Sequence, residues 1–323
     1  MNQSSQHGNT RTSRTPTTPA VAPISRAIRA ALAVSATMLT LFTPVASWAA
    51  SGTCAYDAAS NTYACNGDFS QTLPDAGFIA PADLTVVLGD QLPSSVHPAS
   101  GQVGIDAAWA GDVSVVVGAG SGISTSGADG IRAYSADAAA MVANYGSIDT
   151  AVTAAGAEAM DVGGVYDVTV VNGGDVSASD ADGAYDVMAA NLHSTGYAAT
   201  TSFDNTAGGS LDASALDGSA TALAALAGGD YGTLYISNAG VINADSVHGD
   251  ASGIVASAVS HGYTTIQNSG SVHATGYGSA VGVDAFGDYS STLDNSGDIS
   301  ASADTTAADA TAYAASNVSM HLS

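Results

Sequence analysis

The chain contains no lysine, and its positive charge comes from five arginines against 29 acidic residues. Four of those arginines precede residue 30 and every acidic residue follows residue 50, so the later part carries a net charge of 1 − 29 = −28. A phosphate-binding P-loop and a pyridoxal Schiff base both require lysine, which excludes those two chemistries. Polyphosphate backbones need several cations to displace their counterions, so we expect neither nucleic acid nor an anionic membrane surface as a partner.

A long apolar run is also missing, because the longest one, Ala30 to Phe42, has 13 residues. A helix needs about 20 apolar residues to span a bilayer. The run follows two arginines and precedes small residues, an arrangement that is typical of a secretory signal. We predict that residues 1–49 are a polar extension followed by a signal peptide, that cleavage occurs after Ala49, and that the remaining chain is exported.

Cysteine is scarce, with Cys54 and Cys65 as the two copies in the chain. Tyrosines next to the strand ends and Asp, Ser and Asn in the middle predict a β-hairpin between them. In an oxidising compartment a disulfide would join its strands and contribute about 3 kcal/mol. A metal or redox pair would need CxxC spacing or further ligands close by, and neither is present. We predict that residues 50–80 form an N-terminal cap that contains this hairpin.

Glycine is abundant, with 37 residues, and the pattern apolar-x-Asn-x-Gly-x-apolar recurs along the chain. Five copies are complete, and a sixth, beginning at Phe203, has two extra residues before Leu211. The asparagines lie 28, 33, 33, 30 and 27 residues apart. They are Asn144, Asn172, Asn205, Asn238, Asn268 and Asn295.

Between the asparagines, apolar residues alternate with small polar ones, which favours strands over helices. A unit of about 30 residues with three short strands cannot bury its own apolar face, so it must stack on its neighbours. We therefore predict an all-β fold, a right-handed parallel β-helix with about 30 residues per coil, over residues 81–323. Strand-like segments that begin with Asp83 and Asp112, 29 residues apart, extend the coils back to about residue 80.

The repeated asparagines have a structural interpretation in this fold. We expect them at corners where the backbone is left-handed, a conformation that asparagine tolerates, with their amides bonded to one another along the stack. The apolar residues two before and four after each asparagine should be buried, which contributes on the order of 1.5–3 kcal/mol each. Calcium would need tandem Gly-Gly-x-Gly-x-Asp nonapeptides, and residues 228–232 are a solitary approach to one. We predict no metal or other cofactor.

Residues for catalysis are few. We expect the single glutamate, Glu158, on a solvated face. Asp180 and Asp182 are a carboxylate pair that could serve glycoside hydrolysis if they faced one groove, although a turn is the simpler interpretation. The seven histidines have no metal-binding spacing, and no GxSxG nucleophile elbow occurs. We nominate no catalytic residue and predict that the protein is not an enzyme.

Asn-x-Gly corners that repeat behind a signal peptide, in an acidic and lysine-free chain, resemble the passenger domain of a bacterial autotransporter. The resemblance covers about residues 110–323. It implies a β-helical rod displayed on, or released from, a Gram-negative cell surface, with a role in adhesion, biofilm formation or structural display. The translocator β-barrel implied as its partner would need a long series of amphipathic strands of about ten residues, and the sequence has none.

The sequence ends within a motif, since Leu322 matches the apolar residue two before an asparagine that would be residue 324. We therefore expect a truncated piece of a longer protein, with a short product capped by dimerisation as the alternative. A secreted β-helical glycoside hydrolase that acts on neutral polysaccharide stays open as an alternative function. The partner expected outside the cell is a surface glycan, or a host or self-association ligand. Tyrosines could offer stacking surfaces for sugars, although half-buried face residues are their more common role. The tyrosines considered are Tyr145, Tyr166, Tyr185, Tyr235 and Tyr277.

Overall fold

The computed structural model describes residues 52–74, 83–180, 183, 185–304 and 310–322. The chain divides into two units, Met1–Ser47 and Trp48–Ser323. The predicted signal peptide with its cleavage after Ala49 lies outside the described residues, and so does part of the predicted cap, residues 75–80. Within the described residues, no helix has the length and apolar character needed to cross a membrane.

The described residues form 26 β-strands and no helix, as the alternation of apolar and small polar residues predicts. In chain order the strands are β1 (Thr53–Asp57), β2 (Thr62–Asn66), β3 (Asp68–Phe69), β4 (Leu84–Leu88), β5 (Ser95–Val96), β6 (Ile105–Trp109), β7 (Val113–Val117), β8 (Gly122–Ser126), β9 (Ile131–Ser135), β10 (Ala140–Asn144), β11 (Ser147–Ala151), β12 (Glu158–Gly164), β13 (Val168–Asn172), β14 (Asp175–Asp180), β15 (Val187–Ser194), β16 (Thr200–Asn205), β17 (Ser210–Ala215), β18 (Ala220–Ala227), β19 (Thr233–Asn238), β20 (Val241–Ser246), β21 (Ala251–Ala258), β22 (Tyr263–Asn268), β23 (Ser271–Gly276), β24 (Ala280–Asn295), β25 (Asp298–Ala303) and β26 (Ala310–Leu322).

Successive strands wind into a parallel β-solenoid with about 29 residues per coil, which confirms the predicted fold class. One sheet contains nine strands, from β3 through β5, β8 and β11 to β25. Most of the other strands form two columns: the first column includes β4, β7, β10 and β13, and what we call the third column, counting the nine-stranded sheet as the second stack, includes β6, β9, β12 and β15. From β4 to β23 successive strands enter the stacks in turn, whereas β24 and β26 each run through both columns. Residues about 30 apart in the sequence thereby become neighbours across coils.

The core of the solenoid is a set of apolar columns. Leu84 pairs with Val113, which confirms the 29-residue offset between the two early strands. The residues two before the repeated asparagines are all buried: Val142, Val170, Phe203, Ile236, Ile266 and Leu293. Five of the apolar residues that follow the asparagines are buried as well, and Ile299, which follows Asn295, is only half-buried. The five are Ile148, Val176, Leu211, Ile242 and Val272. Burial of these columns against one another provides the apolar area that a single coil lacks.

The third-column strands β12, β15, β18, β21 and β24 bend, because two consecutive residues in each of them are buried. In β12 these residues are Ala159 and Met160, and in β18 they are Ala222 and Leu223. In a straight strand, successive side chains point to opposite faces. The bend therefore leaves Glu158 and Asp161, on either side of the buried pair in β12, both on the outer surface.

The N-terminal hairpin is present as predicted. Strands β1 and β2 pair antiparallel with Cys54 opposite Cys65, and a disulfide joins these two residues. The other edge of β2 pairs parallel with β4. Strand β1 thus covers the edge that β2 would otherwise present unpaired to other chains.

One predicted register is wrong. Leu322 lies opposite Asn295, and Met320 lies opposite Leu293, whereas the sequence motif predicts Leu322 opposite Leu293. The cause is a register shift, since the five-residue interval from Phe286 to Ser291 in β24 faces a two-residue interval in β26. The motif spacing alone does not predict this shorter interval in β26.

Candidate functional site

The six repeated asparagines end successive strands of one column, and their side chains form a continuous ladder through the solenoid. Each amide nitrogen donates to the amide oxygen of the next asparagine at 2.7–3.0 Å, from Asn144 through to Asn295. The same nitrogens donate to backbone carbonyls of the following coil, for example from Asn172 to Ser210 at 2.9 Å. Five of the side chains are buried, and Asn295 is half-buried. The ladder is therefore a structural element with no surface open to a ligand.

The backbone explanation for these asparagines is wrong. None of the six has a positive φ, and the same is true of the motif glycine in each complete copy. A side-chain bond supports the corner instead, in which the amide oxygen of Asn144 accepts the N–H of Gly146 at 3.1 Å. Asparagine is needed here for its two hydrogen-bonding groups, because a buried polar group without a partner is costly.

The motif glycines are required by the close approach of neighbouring coils. A Cβ atom at Gly174 would lie 2.0 Å from the carbonyl oxygen of Gly146, and one at Gly270 would lie 2.1 Å from that of Gly240. In the copy with two extra residues, Gly209 takes this position, since a Cβ at Gly240 would lie 2.2 Å from its carbonyl oxygen. The insertion is accommodated without breaking the column.

A cluster of charged side chains lies on the outer face of the third column. Residues Asp106, Arg132, Asp161 and Asn191 are in register on β6, β9, β12 and β15. Arg132 donates from Nε to Asp106 at 3.0 Å and makes a second bond from Nη2, and these bonds raise the pKa of the guanidinium. His193 Nδ1 lies 3.8 Å from Asp161 Oδ1. The sole arginine of the later chain is thus held within this cluster.

Glu158 lies at the edge of the same cluster and is not solvated, so that prediction is wrong. Its Oε1 accepts a hydrogen bond from Asn191 at 3.2 Å, and its Oε2 is enclosed without a partner. Burial, together with the negative charges of Asp161 and Asp129, raises the pKa of Glu158 to about 8. Burial also raises the pKa of Asp161 and that of Asp129. The Glu158 carboxyl is therefore protonated at neutral pH.

Chemically, this cluster combines a protonated carboxyl with a second carboxyl, the pairing that glycoside hydrolysis uses. Asp161 Oδ1 and Glu158 Oε2 are both closed to solvent. The rings of Tyr134 and His193 pack over Gly163, where a Cβ would lie 2.4 Å from His193 Nε2. The groups are enclosed by neighbouring side chains rather than arranged around an open groove.

The other carboxylate pair considered from the sequence is explained by a turn. Asp180 is buried, and its two oxygens accept the N–H groups of Gly183 at 2.9 Å and Tyr185 at 3.1 Å. Asp182 lies outside the described residues. Over the described part of the chain, no three His, Cys, Asp or Glu side chains are grouped as metal ligands.

Aromatic side chains form a second surface feature, in the turns that precede β16, β19 and β22, on the first residue of β22 and within β24. We call it the aromatic edge: Tyr197, Tyr231, His261, Tyr263 and Tyr289. The rings of Tyr197 and Tyr231 lie 5.7 Å apart, Tyr231 stacks on His261 at 5.2 Å, and Tyr263 lies 5.0 Å from Tyr289. Backbone bonds join the turns, for example from Tyr289 N to Gly262 O at 3.0 Å. Aromatic rings therefore lie at corresponding positions in four successive coils.

The tyrosines singled out from the sequence are distributed over several faces. Tyr166 is exposed in the turn that precedes the aromatic edge. Tyr145 is exposed beside the asparagine ladder, while Tyr185 and Tyr277 are exposed after the nine-stranded sheet. Tyr235 is half-buried on β19 and donates to Gln267, and burial with the nearby Asp204 charge raises its pKa. Only Tyr166 belongs to the row of turns that carries the aromatic edge.

Inspection of the sequence missed the aromatic edge and most of the charged cluster. A signal for the edge does exist, since Tyr166, Tyr197, Tyr231, His261 and Tyr289 follow one another at intervals of 31, 34, 30 and 28 residues. Those intervals match the asparagine repeat, and a search of the repeat for outward-facing aromatics would find them. The cluster leaves a weaker signal: Asp106, Arg132, Asp161 and Asn191 lie 26, 29 and 30 residues apart, but they differ in residue type, and Glu158 and His193 occupy other positions of the coil.

No protein-family model, no curated protein and no solved structure matches the chain. The function must therefore be inferred from the repeat, the solenoid and the surfaces described above.

Proposed function

We propose that this solenoid is the passenger of a bacterial autotransporter, exported by its signal peptide and displayed at a Gram-negative cell surface as an adhesive, non-catalytic rod. The observation that supports the proposal most strongly is the in-register stack of coils, which is held together from inside by the asparagine ladder. Such a stack fixes the backbone and leaves the outward side chains free to vary. That is the division of roles that a display protein requires.

The charge of the chain is compatible with this location. An acidic rod without lysine is repelled by anionic polymers, so it stays free of nucleic acid and of anionic lipid surfaces. The Cys54–Cys65 disulfide is suited to an oxidising compartment outside the cytoplasm. The export signal and the disulfide thus lead to the same compartment.

Surface display is tested on intact cells of the source organism with an antibody raised against the purified chain. We expect the antibody to label intact cells, external protease to remove the label, and a periplasmic control protein to be protected. Mass spectrometry of the recovered protein should give an N-terminus at Ala50. Protection of the chain in intact cells, or an uncleaved N-terminus, would contradict the proposal.

We do not propose the hydrolase alternative, because the oxygens of its best carboxyl pair, Glu158 and Asp161, include two that are closed to solvent. A direct assay still tests it. Release of reducing sugar from a neutral polysaccharide by the purified chain, abolished in Glu158→Gln, would establish catalysis and remove the non-catalytic part of the proposal.

A further inference from the structure

Three tyrosines of the aromatic edge are strongly exposed to solvent. The exposed fraction is 72% for Tyr197, 49% for Tyr231 and 63% for Tyr289. Rings of this kind bury large areas when a ligand covers them, and contiguous exposed aromatic surface marks interaction sites. The edge is therefore available for a ligand that lies along several coils.

The backbone beneath the rings is in an unfavourable conformation. Of the five non-glycine residues with positive φ in the described residues, four lie in these turns: Ala198, Tyr231, Ser260 and His261. Bulky residues adopt this region at a cost that glycine does not bear, and such costs concentrate at functional sites. Tyr231 and His261, at φ values of 59° and 66°, place stacked rings at positions where glycine would fold more easily.

Charge decides which polymers could occupy the edge. Exposed aspartates accompany the rings, with Asp230 next to Tyr231 and Asp288 next to Tyr289. Carboxylates accept hydrogen bonds from hydroxyl groups and repel anions. Arg132, the one cation available to balance an anionic polymer, is bonded to Asp106 on another face.

We propose that the aromatic edge binds a linear neutral polysaccharide that lies along the solenoid axis. A sugar ring has an apolar face that packs on an aromatic ring and hydroxyls at its rim that donate to the aspartates. Ring centroids lie 5.0–5.7 Å apart within two groups, Tyr197 with Tyr231 and His261, and Tyr263 with Tyr289, so each group offers neighbouring sugar units neighbouring contacts. The inference rests on the proposed adhesive function and supplies its ligand class.

Affinity electrophoresis of the purified full chain tests the inference, in native gels that contain hydroxyethylcellulose, galactomannan, soluble starch or dextran. We expect at least one of the four polymers to retard the protein. Tyr197→Ala and Tyr231→Gly should each weaken that retardation about tenfold, since loss of an aromatic anchor costs much of a binding free energy. Tyr231→Gly also relieves an unfavourable φ, so its melting temperature should not fall.

Tyr277→Ala is the matched control, because Tyr277 is exposed and pairs edge-on with His248 on a different face. This variant should keep the retardation of the wild-type chain. The proposal is overturned if none of the four polymers retards the protein, or if Tyr277→Ala and Tyr231→Gly behave alike. It is also overturned if Tyr231→Gly instead weakens binding of an oligo-arginine peptide, which would assign the edge to a basic protein.

The experiments distinguish an absence of glycan binding from an absence of surface display. The antibody and protease experiment reports surface display whether or not a glycan binds. A displayed chain that no neutral polymer retards would keep the passenger proposal and eliminate the glycan site.

Discussion

At the scale of single residues, each ladder asparagine satisfies several buried polar groups at once. Asn205 accepts from Asn172 at 3.0 Å and donates to Asn238 at 2.8 Å and to the Val241 carbonyl at 3.2 Å. Substitution by alanine would take one hydrogen bond from each of these enclosed partners, and an enclosed polar group that is left with none costs about 1–3 kcal/mol. Asn172 would keep its bond to the Ser210 carbonyl. Loss of one ladder asparagine therefore also weakens the hydrogen bonding of the asparagines before and after it.

We expect Asn205→Ala to lower the free energy of unfolding by about 2–4 kcal/mol, measured by urea denaturation. Asn243→Ala is the control, because Asn243 donates to Asp212 at a partly buried surface position where water can replace the lost bond. Its effect should stay under about 1 kcal/mol. Equal losses in the two variants would contradict the structural role of the ladder.

The pKa of Glu158 gives a pH-dependent prediction. The folded chain holds this proton up to about pH 8, whereas the unfolded chain releases it near the ordinary value of 4.5. Because the folded state binds more protons in between, the free energy of unfolding should fall as the pH rises from about 4.5 to about 8. Glu158→Gln stays neutral, so at pH 9 it should be more stable than the wild-type chain by on the order of 1–3 kcal/mol.

The comparison is made by denaturant unfolding at pH 4 and pH 9, where the difference between the two proteins should be near zero at the lower pH. Asp298→Asn, at an exposed position, controls for the loss of one negative charge. A gain in Asp298→Asn as large as that in Glu158→Gln would mean that net charge, rather than burial, causes the effect.

At the scale of elements, the turn between the first-column strand and the nine-stranded sheet depends on contact distance. The carbonyl of one motif glycine occupies the space where a side chain on the next glycine would lie, as at Gly146 and Gly174. The same turn tolerates two additional residues before Gly209. Inserted residues can loop outward into solvent, whereas a side chain in place of the glycine would collide with the neighbouring coil.

Gly174→Ala should therefore destabilise the chain by about 1–3 kcal/mol, since its Cβ would lie 2.0 Å from a backbone oxygen and the coils must separate. Gly208→Ala, in the turn one coil further on, has its nearest neighbour at 3.6 Å and should change the free energy of unfolding by less than about 0.5 kcal/mol. Thermal denaturation of the two variants measures the difference. Similar melting temperatures would rule out the close-contact explanation.

The N-terminal hairpin gives a prediction that is confined to one end. The Cys54–Cys65 disulfide closes a loop with a sequence separation of 11, and its removal costs about 3 kcal/mol in the chain-entropy model. In a double Cys→Ser variant, hydrogen exchange should accelerate in β1 and β2 and stay unchanged from β10 onward. Uniform acceleration along the solenoid would show that the hairpin stabilises every coil.

Much of the fold was predictable, because the buried positions repeat. The asparagine spacing gave the coil length, and the apolar residues around Asn144 and Asn238 gave the inward columns. What could not be read from the sequence depends on contacts between coils. The enclosure of Glu158 follows from the bend at Ala159 and Met160, which no alternation predicts, and the aromatic edge occupies turns where side-chain identity is unconstrained by burial.

At the scale of the whole molecule, each coil contacts its immediate neighbours, so the stability of the solenoid is approximately a sum of local terms. Damage to one coil should therefore weaken exchange protection nearby more than far away. In Asn205→Ala, hydrogen exchange should accelerate most in β13 to β21 and least in β4 to β9. Equal acceleration at both distances would instead show that the entire solenoid unfolds as one cooperative unit.

The carbonyl-to-glycine contact has a consequence for how such a chain changes its length over generations. The same asparagine bond joins the coils from Asn144 to Asn295, and most of their motif glycines make the same carbonyl contact, so a coil in this part of the chain is an exchangeable unit. Excision of residues 206–238 would fuse Asn205 to Ala239 and recreate an intact Asn-Ala-Gly-Val-Ile corner. Unequal recombination between repeats can thus shorten or lengthen this rod by whole coils while the joints stay chemically the same.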